Sequence, residues 1–125
     1  MRAALIALTL LVAASILAGL WTVGGPVQAR SDRRDAIRLN DLNALHWHLR
    51  CLLRTEDSID ASSPDCPSRP RDRDPFTDQL YRIELQSGSD LVLCAEFEND
   101  IALPAWANAR IPSDAPGCLR FRQPD

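Results

Sequence analysis

The residues of this 125-residue chain best suited to covalent chemistry are its four cysteines, Cys51, Cys66, Cys94 and Cys118. No two of them stand in a C-x-x-C arrangement, so neither a zinc pair nor a thioredoxin-like dithiol is indicated. An even set in a small domain reads as two disulfides, for which three connectivities are open. A Cys51–Cys66 bridge would close a loop of about fifteen residues and contribute on the order of 3 kcal/mol. The working hypothesis for the other pair is that Cys94 and Cys118 join across the last strands.

The remaining chemistry-bearing types are sparse. His46 and His48 are the only histidines. Two residues apart on a helix they point about 200° from each other, so they do not chelate one metal. One is expected at the edge of an apolar stripe and the other in solvent. A serine nucleophile would call for a G-x-S-x-G elbow, and the chain has none. Glu96, Glu98 and Asp100 offer oxygen ligands of the kind calcium takes, but carboxylates at this spacing are common on surfaces. The reading therefore assigns no catalytic, cofactor-binding or metal-binding residue. It expects a non-enzymatic protein.

Charge excludes one class of partner. All 14 basic residues are Arg, against 17 acidic ones, for a net charge of −3. Only Arg2 precedes residue 30, so the rest of the chain is mildly acidic and has no basic stripe. Nucleic-acid binding, which draws most of its affinity from phosphate contacts, is rejected.

The elements that must position these residues begin with an uncharged run from Ala3 to Trp21. It exceeds the ~7–15 apolar residues of a secretory signal and approaches the ~20 of a spanning helix. Trp21 lies at its far end, where an amphipathic ring prefers the membrane interface. Against an anchor, Val27 and Ala29 suit signal cleavage before Arg30. Arg30, Arg33 and Arg34 also follow the run where the positive-inside rule would place them in the cytoplasm. Cysteine usage favours export. The expectation is a membrane anchor or signal in residues 1–29, crossing the inner membrane through residues 3–23, with residues 30–125 in the periplasm. The alternative is a secreted or soluble periplasmic binding module released after Ala29.

Beyond Gly24-Gly25-Pro26, where a helix should break or kink, leucines recur at positions 39, 42, 45, 49, 52 and 53. This spacing predicts an amphipathic helix over about 32–53, capped by Ser31 or Asp32. Asp35 falls in its first turn, and Asp35, Arg38 and Asp41 neighbour one another on its surface. Proline, serine and aspartate predict a loop over 55–75, whose Arg69–Asp74 run alternates in sign and should be solvated. A sheet is expected within 79–122. Its strands are residues 80–85, with Tyr81, Ile83 and Leu85 on one face, then 91–97 after a Gly-containing turn at 86–90, and a short last strand at 118–121. Leu91, Leu93, Ala95 and Phe97 should face the core. An irregular stretch with Pro104 and Trp106 comes between. The fold class is α+β, with one long helix covered by a small antiparallel sheet.

This order of elements resembles the type IV pilin and type II secretion pseudopilin architecture. A closer resemblance is to bacterial single-span proteins with a pilin-like soluble domain. Its motifs are a D-x-x-R-x-x-D-L helix start (Asp35, Arg38, Asp41, Leu42) and a D-P-x-T segment with a following Tyr (Asp74, Pro75, Thr77, Tyr81). They continue with an L-C-A-x-F strand (Leu93, Cys94, Ala95, Phe97), a Trp (Trp106) and a late Cys-x-R-F (Cys118, Arg120, Phe121). The chain departs from pilins in having no processing site and no acidic residue in its apolar helix, so filament assembly is not implied. Asp78 stands where the pattern has Gly, and Cys51 and Cys66 are additions to it. The resemblance implies a pilin-like fold and a membrane-tethered extracytoplasmic domain that contacts other cell-envelope proteins.

Overall fold

Gly24 adopts φ 78° in the computed structural model, a conformation open to Gly and strained for other residues, and it separates two helices. The structure describes residues 1–86, 90–105, 107 and 109–122. Helix α1 runs Arg2–Val23 and α2 runs Pro26–Thr55. The strands are β1 (Arg82–Leu85), β2 (Leu91–Cys94), β3 (Ala109–Arg110) and β4 (Cys118–Phe121). They form one antiparallel sheet in the order β1-β2-β4-β3. The fold is α+β. Contacts divide the chain into two units, Met1–Arg33 and Arg34–Asp125.

Helix α2 starts earlier than its leucine period suggests. Pro26 opens it, because a proline at the first helical position forfeits only an N–H that would have no partner there. Ser31 and Asp32 therefore lie inside the helix and do not cap it, and Asp35 is well past the first turn. The helix is also two residues longer at its end, reaching Thr55.

In the second unit, Leu42, Leu45, Leu49 and Leu52 are each 3 % exposed or less. They form one core with Tyr81, Leu91, Leu93, Leu119 and Phe121, and Leu39 and Leu53 pack at its edge. The leucine stripe thus covers one face of the sheet. Ala95 and Phe97 also pack on this core, although β2 ends at Cys94. The opposite face of the sheet carries a smaller buried group of Val92, Cys94 and Cys118, with Ala115 against it. β1 is an edge strand and is covered only in part: Ile83 is half-buried, while Leu85, and Leu80 ahead of the strand, are exposed. The two-residue β3 on the other edge carries no alternation for a sequence pattern to detect.

The hairpin between β1 and β2 is closed by the Gln86 N–H donating to the Asp90 carbonyl at 2.9 Å. Ser87, Gly88 and Ser89 of that turn, and Trp106, lie outside the described residues. Both disulfides are intrachain, Cys51–Cys66 and Cys94–Cys118. The first ties the last turns of α2 to the following loop. The second joins directly opposed residues of β2 and β4. Gly117 sets up the second bridge. Its φ is 85°, and a Cβ there would fall 2.8 Å from the Ala95 carbonyl oxygen. The Ala95 N–H in turn donates to the Gly117 carbonyl at 3.0 Å.

Candidate functional site

Three features of this fold have chemical potential: a buried charged network, two cavities beside the sheet, and the N-terminal apolar helix. The network is centred on Arg38, which is 1 % exposed. Its Nε donates to Asp74 Oδ2 at 2.6 Å and its Nη1 to Asp35 Oδ1 at 2.8 Å. Glu98 Oε1 lies 3.6 Å from Nη1, and the Phe76 ring lies 5.5 Å from the guanidinium carbon. Asp35 and Arg38 were expected on the helix surface. They are buried instead, because Asp74 and the residues after β2 fold over that side of α2.

Two of the carboxylates around Arg38 also organise backbone. Asp35 accepts the N–H groups of Glu98 and Asn99 at 2.9–3.2 Å. Asp74 accepts the Phe76 N–H at 2.8 Å, and its own N–H and carbonyl bond to Gln79 and Asp78. Asp74 is 3 % exposed, so the Arg69–Asp74 run is not solvated throughout. Asp78 takes φ 60°, the left-handed conformation that favours glycine, which explains why a Gly suits this position. Nearby, the Tyr81 hydroxyl donates to Asp41 at 2.9 Å. Asp35, Arg38, Asp41, Asp74 and Tyr81 therefore belong to one region that clamps two loops to α2.

Electrostatics follow from this geometry. Burial alone would lower the Arg38 pKa, but the hydrogen bonds to Asp74 and Asp35 outweigh it and raise the value. Burial alone would raise the Asp74 carboxyl, yet the Phe76 N–H and Arg38 hold it below the usual carboxylate range. Tyr81 is pushed up, first by burial and then by its bond to Asp41. Arg34 forms a two-point pair with Glu98 at 2.6 and 2.9 Å, and that bond lowers the Glu98 pKa. Every charged partner here is committed to another, which suits clamping rather than proton transfer.

Both histidines are buried, including the one expected in solvent. His48 is 9 % exposed, and its Nδ1 lies 2.8 Å from the Pro67 carbonyl. A carbonyl only accepts, so Nδ1 carries the proton. The Cys51–Cys66 bridge brings the loop bearing Pro67 back to α2. His46 is 3 % exposed and stacks on Phe121, with ring centroids 4.1 Å apart. Burial, followed by the nearby Arg50 charge, lowers its pKa to about 4.

One cavity, of about 280 Å³, is lined by Asp74, Tyr81, Arg82, Cys94, Glu96 and Cys118, among others. A second, of about 140 Å³, lies between α2 and the β2–β4 face at His46, Arg50, Leu91 and Phe121. Glu98 points to Arg34 and Arg38, not to Glu96 and Asp100. Among the described residues no group of three or more His, Cys, Asp or Glu is arranged to hold a metal ion.

Of the four cysteines singled out in the sequence, each bridge occupies a distinct place. Cys51–Cys66 fixes a loop, and Cys94–Cys118 lines the cavity of about 280 Å³. Sequence reasoning missed Arg50, whose burial follows from its place one residue after Leu49 on a helix face wider than the leucine stripe.

Helix α1 is a candidate membrane span. None of its residues is buried, Arg2 is its only charged residue, and its most apolar window has a mean hydropathy of 2.5. Two disulfides in the same chain suit an oxidising compartment. Comparisons with protein-family models, with curated proteins and with solved structures find no match for this chain.

Proposed function

We propose that this chain is a membrane-tethered, non-enzymatic domain of pilin-like architecture. It is held on the periplasmic side of the inner membrane by α1 and contacts other cell-envelope proteins. The observation that supports this reading best is the joint presence of an apolar helix with no buried residue and a disulfide-bonded α+β unit. An apolar helix of 22 residues spans about 33 Å, enough for the ~30 Å hydrocarbon core. Disulfides persist outside the reducing cytoplasm. The exposed side chains of Trp47, Phe76 and Leu80 provide apolar contact area for envelope partners.

Intact mass measured on membrane and soluble envelope fractions tests the tether. A full-length mass, less four hydrogen atoms for two disulfides, is expected in the membrane fraction. A mass beginning at Arg30 in the soluble fraction would replace the tether with a released binding module. In-cell crosslinking of the full chain tests the partner part, with adducts to envelope proteins as the expected outcome.

A further inference from the structure

Arg50 is 8 % exposed, and no hydrogen bond or ion pair to a described residue satisfies it. Its Nε is closed off from solvent and unpartnered, and so is Nδ1 of His46 one turn earlier on α2. A cation that is largely buried without a counter-charge is unfavourable. The Trp47 ring lies 5.7 Å from the guanidinium carbon, and a cation–π contact of that kind offsets only part of that cost. Both orphaned side chains line the same cavity of about 140 Å³. Arg54, exposed, adds a second positive charge to its lining. Asp57 is the one acid among the lining residues and lies beyond ion-pair distance of Arg50.

We propose that this cavity is a binding site for a small monocarboxylate with a short apolar tail, whose head group pairs with Arg50 and Arg54. A guanidinium fork matches the two oxygens of a carboxylate. The rest of the lining is Leu53, Leu91 and Phe121, which suits carbon rather than a fully hydrated anion such as phosphate. Size agrees. A cavity of roughly 150 Å³ takes a guest the size of benzene, about six heavy atoms, which is also the size of butyrate.

His46 reports on the site from inside the lining. The charged groups near it are Arg50, Arg54 and Asp57, from α2 and the turn that follows, whereas β2 and β4 contribute Leu91 and Phe121. Its pKa of about 4 leaves it neutral at pH 7. An anion beside it favours the imidazolium form, so occupancy raises that pKa.

The test uses the full-length protein in nonionic detergent, with only the two histidine rings isotopically labelled for NMR. Sodium butyrate is titrated against sodium chloride at matched ionic strength. At pH 7, where butyrate is ionised, the His46 signals are expected to shift saturably with butyrate, while those of His48, bonded to Pro67, stay in place. Arg50→Gln should weaken binding about thirtyfold or more, the effect of truncating one partner of a buried charge pair. Arg54→Gln, at an exposed position that folding does not require, should weaken it several-fold and decides the matter if Arg50→Gln does not fold. Linear shifts equal to those with chloride, or unchanged affinity in Arg54→Gln, would overturn the proposal. Inorganic phosphate binding as tightly as butyrate would also overturn it, because the apolar tail would then count for nothing.

Discussion

His46 gives this protein a specific response to acid. The imidazole is buried against Phe121 and beside Arg50, which lowers its pKa from 6.5 to about 4. In the unfolded chain it takes up a proton as pH falls through 6.5, whereas the folded chain resists until about 4. Stability is therefore complete above pH 6.5 and declines between these values, by roughly 3 kcal/mol if the full difference is expressed. Asp74 acts in a separate, lower window. Its carboxyl is held below its ordinary value, so its contribution is present above the usual carboxylate range and is lost only as pH falls through the lowered value. His46→Phe keeps a flat ring on Phe121 and removes the titrating group. Urea midpoints measured from pH 7.5 to 4.5 should slope downward for the natural protein and stay nearly flat for the variant. Equal slopes would assign the acid response elsewhere.

At the scale of elements, the interaction between α2 and its covering loops depends on Arg38. Its carboxylate partners come from three places, Asp35 on the helix, Asp74 in the loop before β1, and Glu98 after β2. Arg38→Met removes the cation but leaves Asp35 and Asp74 buried, and breaking a buried pair from one side typically costs about 3–5 kcal/mol. The triple variant Asp35→Asn/Arg38→Met/Asp74→Asn, which leaves no unpaired charge, should recover part of that loss. Denaturation of the single variant with a stability change under about 1 kcal/mol would mean that the network is solvated in solution. The D-x-x-R-x-x-D spacing was legible in the sequence, and so was the leucine stripe next to it. Burial of the charges was not, because the segments that cover them lie dozens of residues away and have no periodicity of their own. The same reason hid His48, which is buried only because the loop from Cys66 returns over it. Sequence patterning identified β4 and the first four residues of the strand expected over 91–97, whose Leu91, Leu93, Leu119 and Phe121 face the helix-covered side. It overextended the covered face of β1, where Leu85 sits exposed on an edge strand.

For the whole molecule, the distribution of stabilising contacts separates anchoring from folding. Every buried apolar residue lies at or beyond Leu42, and both disulfides and the Arg38 network lie in the unit Arg34–Asp125. A domain of this size has a modest core, so the bridges matter. They close loops with sequence separations of 15 and 24 residues, each contributing about 3 kcal/mol on loop-closure grounds. Helix α1 adds no buried apolar area of its own. The fragment 30–125 should therefore fold as a soluble monomer with both disulfides formed. Its Tm should match that of the full-length protein in nonionic detergent to within about 4–8 °C, the shift that 1 kcal/mol produces in a domain of this size. Reduction with a strong dithiol should then lower the Tm of both forms alike. A fragment that aggregates or melts without cooperativity would show that residues before Arg30 take part in folding. Division of labour would then fail, and the apolar segment would have to be counted as structure as well as anchor.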